Sequence, residues 1–190
     1  MSARAGSATV GAEGPGPVDA QWLGRGLAAL RIFFGLILFS NGLAKLFEFR
    51  NISLGPYTSF LIPKAEARSI LDNEVNKRGG DGTDVPGLKT LVNDVVLANW
   101  GFFQWVVTFV ELGAGALLII GLATRGAALV GLGQQLFLQL VYLSSGRWAF
   151  EQPHEWVPLL ILALVPAGRV WGLDRGLAGR GGGRLRGWPF

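Results

Sequence analysis

From Gly126 to Gly146 the chain runs for 21 residues without a charged side chain, and three further stretches come close to this. Leu27–Phe47 is broken only by Arg31 and Lys45. Gly101–Leu122 carries Glu111 alone, and Glu155–Gly172 is uncharged from Trp156 to Gly168 but contains Pro158 and Pro166. A helix crossing the hydrocarbon core of a bilayer needs about 20 mostly apolar residues. Four such runs in 190 residues predict an all-α protein, an integral membrane four-helix bundle. Its long first connection is expected outside the membrane, with short amphipathic helices in it. Composition agrees: half the residues are apolar, 16% are charged and the mean hydropathy is +0.39. There is no cysteine, one histidine and only the first methionine. Disulfides, cysteine-held zinc, iron–sulfur clusters, thiol catalysis and bis-histidine haem ligation are thereby excluded within this chain, and no protein-bound metal is expected.

Charge placement sets the expected topology. Arg169, Arg175, Arg180, Arg184 and Arg186 face one acid, Asp174, in the tail, and Arg125 lies in the short second connection. Around the first connection, seven basic residues from Lys45 to Lys89 balance seven acids from Glu48 to Asp94. The positive-inside rule then predicts a multi-pass protein of the cell membrane with both termini cytoplasmic. Trp22 and Trp171 mark one membrane boundary; Trp100, Trp105, Tyr142, Trp148 and Trp156 mark the other. Residues 1–21 read as a disordered segment, 22–178 as the membrane domain and 179–190 as a basic Gly/Arg-rich tail suited to anionic lipid. A cleaved leader ending near Gly42-Leu43-Ala44 is not expected, because Arg31 interrupts the apolar region and the run starts late. The net charge of +4 does not suggest nucleic acid. In the first connection Ala67, Ile70, Leu71 and Val75 recur at helical spacing until Gly79-Gly80-Asp81-Gly82. Leu88, Leu91, Val92 and Val95 begin a second amphipathic segment, so the connection reads as either a cap on the bundle or a solvated loop.

The polar residues inside the runs share one spacing. Arg31, Gly35, Leu38, Gly42 and Lys45 fall on one helix face, as do Gln104, Thr108, Glu111 and Gly115. Gly131, Gln135, Gln139 and Tyr142 repeat the pattern, and so do Glu155, Leu159, Leu162, Pro166 and Arg169. Charges in a bilayer usually face the bundle interior or a wet cavity. Glu111, near the middle of its run, needs a partner or a proton. Two readings stand for it. One is a structural ion pair or hydrogen bond to Arg31, Lys45 or the glutamines. The other is a proton-accepting carboxylate beside a small-substrate pocket lined by Asn41, Gln135, Gln139 and Tyr142. Arg147, with Glu151, His154 and Glu155 nearby, can attract an anion at the outer end, where His154 can donate a proton. Asp174 is expected to close the opposite end by pairing with Arg125 or Arg175.

Ordered motifs carry a resemblance. Leu30-Arg31-Ile32-Phe33-Phe34-Gly35 and Asn41-Gly42-Leu43-Ala44-Lys45-Leu46 are followed by Glu111-Leu112-Gly113-Ala114-Gly115 and Gly121-Leu122-Ala123-Thr124-Arg125. Gly168-Arg169-Val170-Trp171-Gly172-Leu173-Asp174 completes the set. Together they resemble the DoxX/DoxD family of small four-helix membrane proteins. The long first connection and the closing motif look more like DoxD, the small subunit of thiosulfate:quinone oxidoreductase. The resemblance implies electron transfer from thiosulfate to membrane quinone, with tetrathionate as product. It also implies a second redox subunit, beside which a homo-oligomer is the other expected assembly. The resemblance does not supply site residues; the helix-face spacing makes Glu111 the expected catalytic group, and Arg31, Asn41, Lys45, Gln135, Gln139, Tyr142, Arg147 and His154 the expected substrate or quinone contacts. The alternative is a non-catalytic membrane anchor or assembly subunit that recruits a soluble redox enzyme.

Overall fold

A computed structural model describes residues 17–148 and 150–180. The expected disordered segment lies mostly outside the described residues, as do residues 181–190 of the basic tail. The chain is predominantly helical. Helix α1 spans Pro17–Phe47, and a two-stranded antiparallel hairpin follows, β1 (Asn51–Leu54) and β2 (Tyr57–Phe60). Helix α2 (Lys64–Asp72) runs into a wide π-helical turn, Asn73–Lys77; the short α3 (Leu88–Thr90) does the same over Leu91–Leu97. Helices α4 (Trp100–Ile120), α5 (Thr124–Tyr142), α6 (Pro153–Leu164) and α7 (Asp174–Arg180) complete the order.

Helix α1 packs along α4, α4 against α5, and α5 against α6, whereas α1 and α6 meet only sparsely. Glycine permits the closest of these approaches. A Cβ on Gly115 would stand 2.5 Å from the Phe39 backbone nitrogen, and one on Gly42 would stand 2.8 Å from that of Leu112. The core between the helices is Phe34, Leu38, Leu118, Leu132, Leu159 and Leu162 with small alanines. Large apolar side chains also crowd the outside of the helices, among them Phe33, Leu36, Phe102, Phe109, Leu129, Val130 and Leu164. An apolar exterior of this extent is what a lipid-facing surface requires and what water penalises.

The structure supports the four expected crossings only in part, the first of three points at which it departs from the sequence expectation. Among the described residues two helices, Asp19–Phe47 and Trp100–Ile120, are long and apolar enough to cross a membrane. Helix α5 is 19 residues long, but Arg125, Gln134, Gln135 and Gln139 dilute its apolarity. Helix α6 has 12 residues, about 18 Å at 1.5 Å per residue, short of a hydrocarbon core of about 30 Å. Pro166 cannot continue the helical ladder, so the chain extends at Val165 and tightens into a 3-10 turn at Ala167–Arg169. Second, the first connection contains a β-hairpin as well as helices. Third, the buried stripe of the second cap segment is Leu88, Val92 and Val96, whereas Leu91 and Val95 are exposed. These three pack with Leu71, Val75 and the α5 residue Val141, so the cap has its own core joined to the end of α5.

The non-helical backbone after α6 survives burial because charged side chains supply the missing hydrogen bonds. Fully buried Arg31 donates from Nη2 to the Trp171 carbonyl (2.9 Å) and from Nη1 to that of Ala167 (3.3 Å). Arg125 Nε donates to the Ala163 carbonyl at 2.9 Å. Asp174 accepts from the backbone N–H of Ala123 (2.7 Å) and Thr124 (3.1 Å), capping α5. Asp174 thus closes this end through backbone groups rather than through Arg125 or Arg175, and its charge faces Arg31. The same bonds hold Ala123 at φ +47°, a left-handed conformation unfavourable to a residue with a Cβ.

Candidate functional site

The opposite end of the bundle is organised around an ion pair. Lys45 Nζ, from the last turn of α1, lies 2.8 Å from Glu111 Oε2 of α4, and both side chains are almost fully buried. The other carboxylate oxygen accepts a 2.8 Å hydrogen bond from Gln134 Nε2 of α5. Three helices therefore meet at one carboxylate. Lys45 arrives there because it lies fourteen residues, four helical turns, beyond Arg31 on the same face of α1.

Beside this pair lies a cavity of about 460 Å³. Its walls come from α1 (Phe33, Phe34, Ile37, Leu38, Asn41), α5 (Gln134, Gln135, Phe137, Leu138, Tyr142) and α6 (His154, Glu155, Leu159). The cap and the strand-to-helix strap roof it with Ile62, Ala67, Ile70 and Leu71. Apolar walls with a few convergent polar groups, in a volume of a few hundred Å³, describe a small-molecule site. Two wall features indicate access. Phe33 (58%), Ile37 (38%) and Ile62 (39%) line the cavity and are themselves exposed, so it opens onto the apolar exterior beside α1. His154 is exposed at the far end, where its Nδ1 lies 3.2 Å from the Phe150 carbonyl oxygen.

The expected site residues separate into two groups. Asn41, Lys45, Glu111, Gln135, Tyr142 and His154 line the cavity. Gln135 Oε1 is buried there without a hydrogen-bond partner, an acceptor that a ligand donor would satisfy. Asn41 Nδ2 bonds back to the Ile37 carbonyl (3.1 Å), and its Oδ1 receives the strap N–H of Ile62 at 3.4 Å. The other three lie elsewhere. Arg31 serves the backbone at the opposite end, and Gln139 Oε1 accepts the Trp156 indole N–H at 3.1 Å. Arg147 is held by two carboxylates, Glu151 (2.6 Å) and Glu74 (3.0 Å), over the ring of Tyr142. Sequence spacing missed Gln134. Adjacent residues differ by 100° around a helix, so a stripe drawn through Gln135 excludes a neighbour that still meets Glu111 across the α4–α5 contact.

Glu74 was also missed, because no helical stripe of the membrane runs includes it. It is buried where the cap meets the loop after α5, and it accepts from Ser145 Oγ (2.5 Å), Arg78 Nη1 (2.8 Å) and Arg147 Nη2 (3.0 Å). Burial pushes its carboxyl up, but the bonds from Ser145 and Arg147 and the charges of Arg78 and Arg147 together outweigh it. The group therefore sits below the usual glutamate range. This cluster fastens the roof of the cavity to its wall. A second concavity of about 750 Å³, between α4 and α5, is lined by Phe102, Trp105, Phe109, Gly113 and other apolar residues and has no titratable group.

No curated protein and no solved structure matches the chain significantly. The DoxX family model matches residues 26–143, from α1 through the cap and α4 to just beyond α5. It includes Lys45, Glu111 and Gln134, every member of the buried ion-pair cluster. This match covers more than half of the sequence, and the chain belongs to the DoxX family.

Proposed function

We propose that this chain is the membrane subunit of a quinone-linked oxidoreductase that passes electrons from a small reduced sulfur anion, thiosulfate, to membrane quinone. The observation that carries the reading is the cavity's double character. One wall holds a buried ion pair and an unsatisfied amide, and the other opens onto the apolar exterior through Phe33, Ile37 and Ile62. A lipid-soluble molecule with a flat polar head is the ligand class that suits both walls. The donor set fits a quinone. Lys45 Nζ can donate to a ring oxygen of the quinone, Gln135 Oε1 can accept from a hydroxyl of the quinol, Phe33, Phe34 and Leu159 can enclose the ring, and Glu111 can hold or release a proton beside Lys45. Quinone supplies two-electron acceptor chemistry when bound. Two thiosulfate anions joining through one new S–S bond to tetrathionate release two electrons, and conversion of quinone to quinol consumes these with two protons.

In this reading α1, α4, α5 and α6 with its following turn form a four-crossing bundle in the cell membrane. Both termini face the cytoplasm, and the cap lies outside. The DoxX family membership and the apolar exterior support it. The DoxD-like features, a long first connection and the Gly-Arg-Val-Trp-Gly-Leu-Asp closing segment, favour the thiosulfate reaction and a second redox subunit over a chain acting alone. A non-catalytic anchor is the second reading. It is favoured by one fact: Glu111 is already ion-paired with Lys45 and hydrogen-bonded by Gln134, as a structural lock would be.

The purified full chain, in lipid nanodiscs, is to be tested for binding of a short-chain ubiquinone and for its reduction by thiosulfate. The double variant Lys45→Met/Glu111→Gln removes the charges together and so leaves neither one buried alone. Loss of quinone binding in the folded double variant supports the site. Unchanged binding in that variant abandons it. Recovery of a stoichiometric soluble redox enzyme with a chain that binds no quinone favours the anchor.

A further inference from the structure

The hairpin between α1 and α2 is a poor element for water. It has two four-residue strands and, among the described residues, no neighbouring strand, and isolated pairs of this size are marginal in solution. Its register pairs Leu54 with Tyr57, Ser53 with Thr58 and Ile52 with Ser59. Residues directly opposite share a face, and alternate residues along a strand do too. One face is therefore Ile52, Leu54 and Tyr57, with Ser59 opposite Ile52. The other carries the hydroxyls of Ser53 and Thr58, 3.1 Å apart. The apolar face is bare, with Leu54 at 70% and Tyr57 at 62% exposure; Phe60, 83% exposed, sits at the base on the other face.

Three observations choose what covers that face. The hairpin begins four residues after Phe47, where the membrane-length helix α1 ends, so it lies at the level at which the chain leaves the apolar zone. From Asn51 to Pro63 the segment has no charged residue, although Arg50 and Lys64 flank it on either side. Leu61 at its base is buried, and the Leu61 N–H is bonded to the Arg50 carbonyl at 2.6 Å, which fixes the hairpin beside the bundle. Uncharged apolar and aromatic side chains between cationic flanks are the composition of an element lying in a lipid headgroup boundary.

We infer that the β1–β2 hairpin is an interfacial membrane anchor, with Leu54 and Tyr57 immersed in the phospholipid leaflet and Ser53 and Thr58 facing water. It would hold the strap residue Ile62, and with it the mouth of the cavity, at the lipid surface. The inference rests on the membrane reading of α1 and α4 and not on the quinone.

The natural chain contains no cysteine, so single cysteines can be spin-labelled without background. Leu54→Cys, Tyr57→Cys, Ser53→Cys and Thr58→Cys are to be compared in phosphatidylcholine–phosphatidylglycerol vesicles, with Phe109→Cys on the outer face of α4 as the lipid reference. The measurement is relative accessibility to oxygen and to a water-soluble nickel chelate. A several-fold higher oxygen-to-nickel ratio at Leu54 and Tyr57 than at Ser53 and Thr58 is expected. Equal water exposure at all four positions overturns the inference. Shielding of Leu54 and Tyr57 from both reagents overturns it too, since a protein partner or second copy would then cover the face. A water-exposed label at Phe109 identifies the membrane reading as the failure, not the hairpin.

Discussion

The two ends of the helix bundle use buried charge in opposite ways. At the Arg31 end the two fully buried charges are bonded to backbone: Arg31 to the Ala167 and Trp171 carbonyls, Asp174 to the Ala123 and Thr124 N–H groups. At the Lys45 end the charges meet each other, supported by Gln134, and they face a cavity of about 460 Å³. Bonding charge to backbone fixes a chain path that has no helix to satisfy it. Pairing charge with charge beside open space leaves groups that a ligand can still engage. The contrast explains why α6 can be short: the Arg31 end supplies the hydrogen bonds that further turns of helix would have made.

The largest expected effect breaks the backbone-bonded end. Asp174→Ala removes two charge-assisted cap bonds and leaves Arg31 buried opposite no acid, so it should cost about 3–5 kcal/mol. Thermal unfolding in detergent should show a large fall in Tm or no folded protein. A stability equal to the parent would deny Asp174 its role. At the Lys45 end, Lys45→Met strands a buried carboxylate and should cost a comparable amount. Adding Glu111→Gln should recover most of the loss, since a neutral pair needs no counter-charge. A double-mutant cycle measures this, and additive losses would contradict the pairing.

Smaller effects sharpen the picture. Glu74 has a folded-state pKa below its ordinary value, so its stabilisation is full above the ordinary glutamate range and disappears as pH falls through the lowered folded value. Glu74→Gln should therefore flatten the acid limb of the stability–pH curve, and an unchanged limb would contradict the shift. Ala123→Gly relieves the left-handed backbone at φ +47° and should raise stability by about 1 kcal/mol. The exposed Arg50–Glu66 pair, 3.4 Å apart, should matter least. Glu66→Gln is expected to change the unfolding free energy by less than about 1 kcal/mol.

Much of this was legible in residue spacing. The face holding Arg31, Leu38 and Lys45 is buried, and so are Thr108, Glu111 and Gly115 on α4. A 3.6-residue period identifies a face without identifying what the face meets. Arg31 and Lys45 share a stripe, yet one bonds to carbonyls beyond α6 and the other to a carboxylate on α4. The choice between Gln134 and Gln135 as the partner of Glu111, and the capture of Arg147 by Glu74, depend on side-chain reach across elements far apart in sequence.

The sequence alone determined that the chain would be helical and apolar on its outside, with charges confined to particular helix faces, because periodicity and composition act locally along the chain. Only the tertiary structure decided which charges close the fold and which border a cavity. That outcome is set by where α6 ends and where the cap comes to rest, and both depend on long-range contacts that no local pattern encodes.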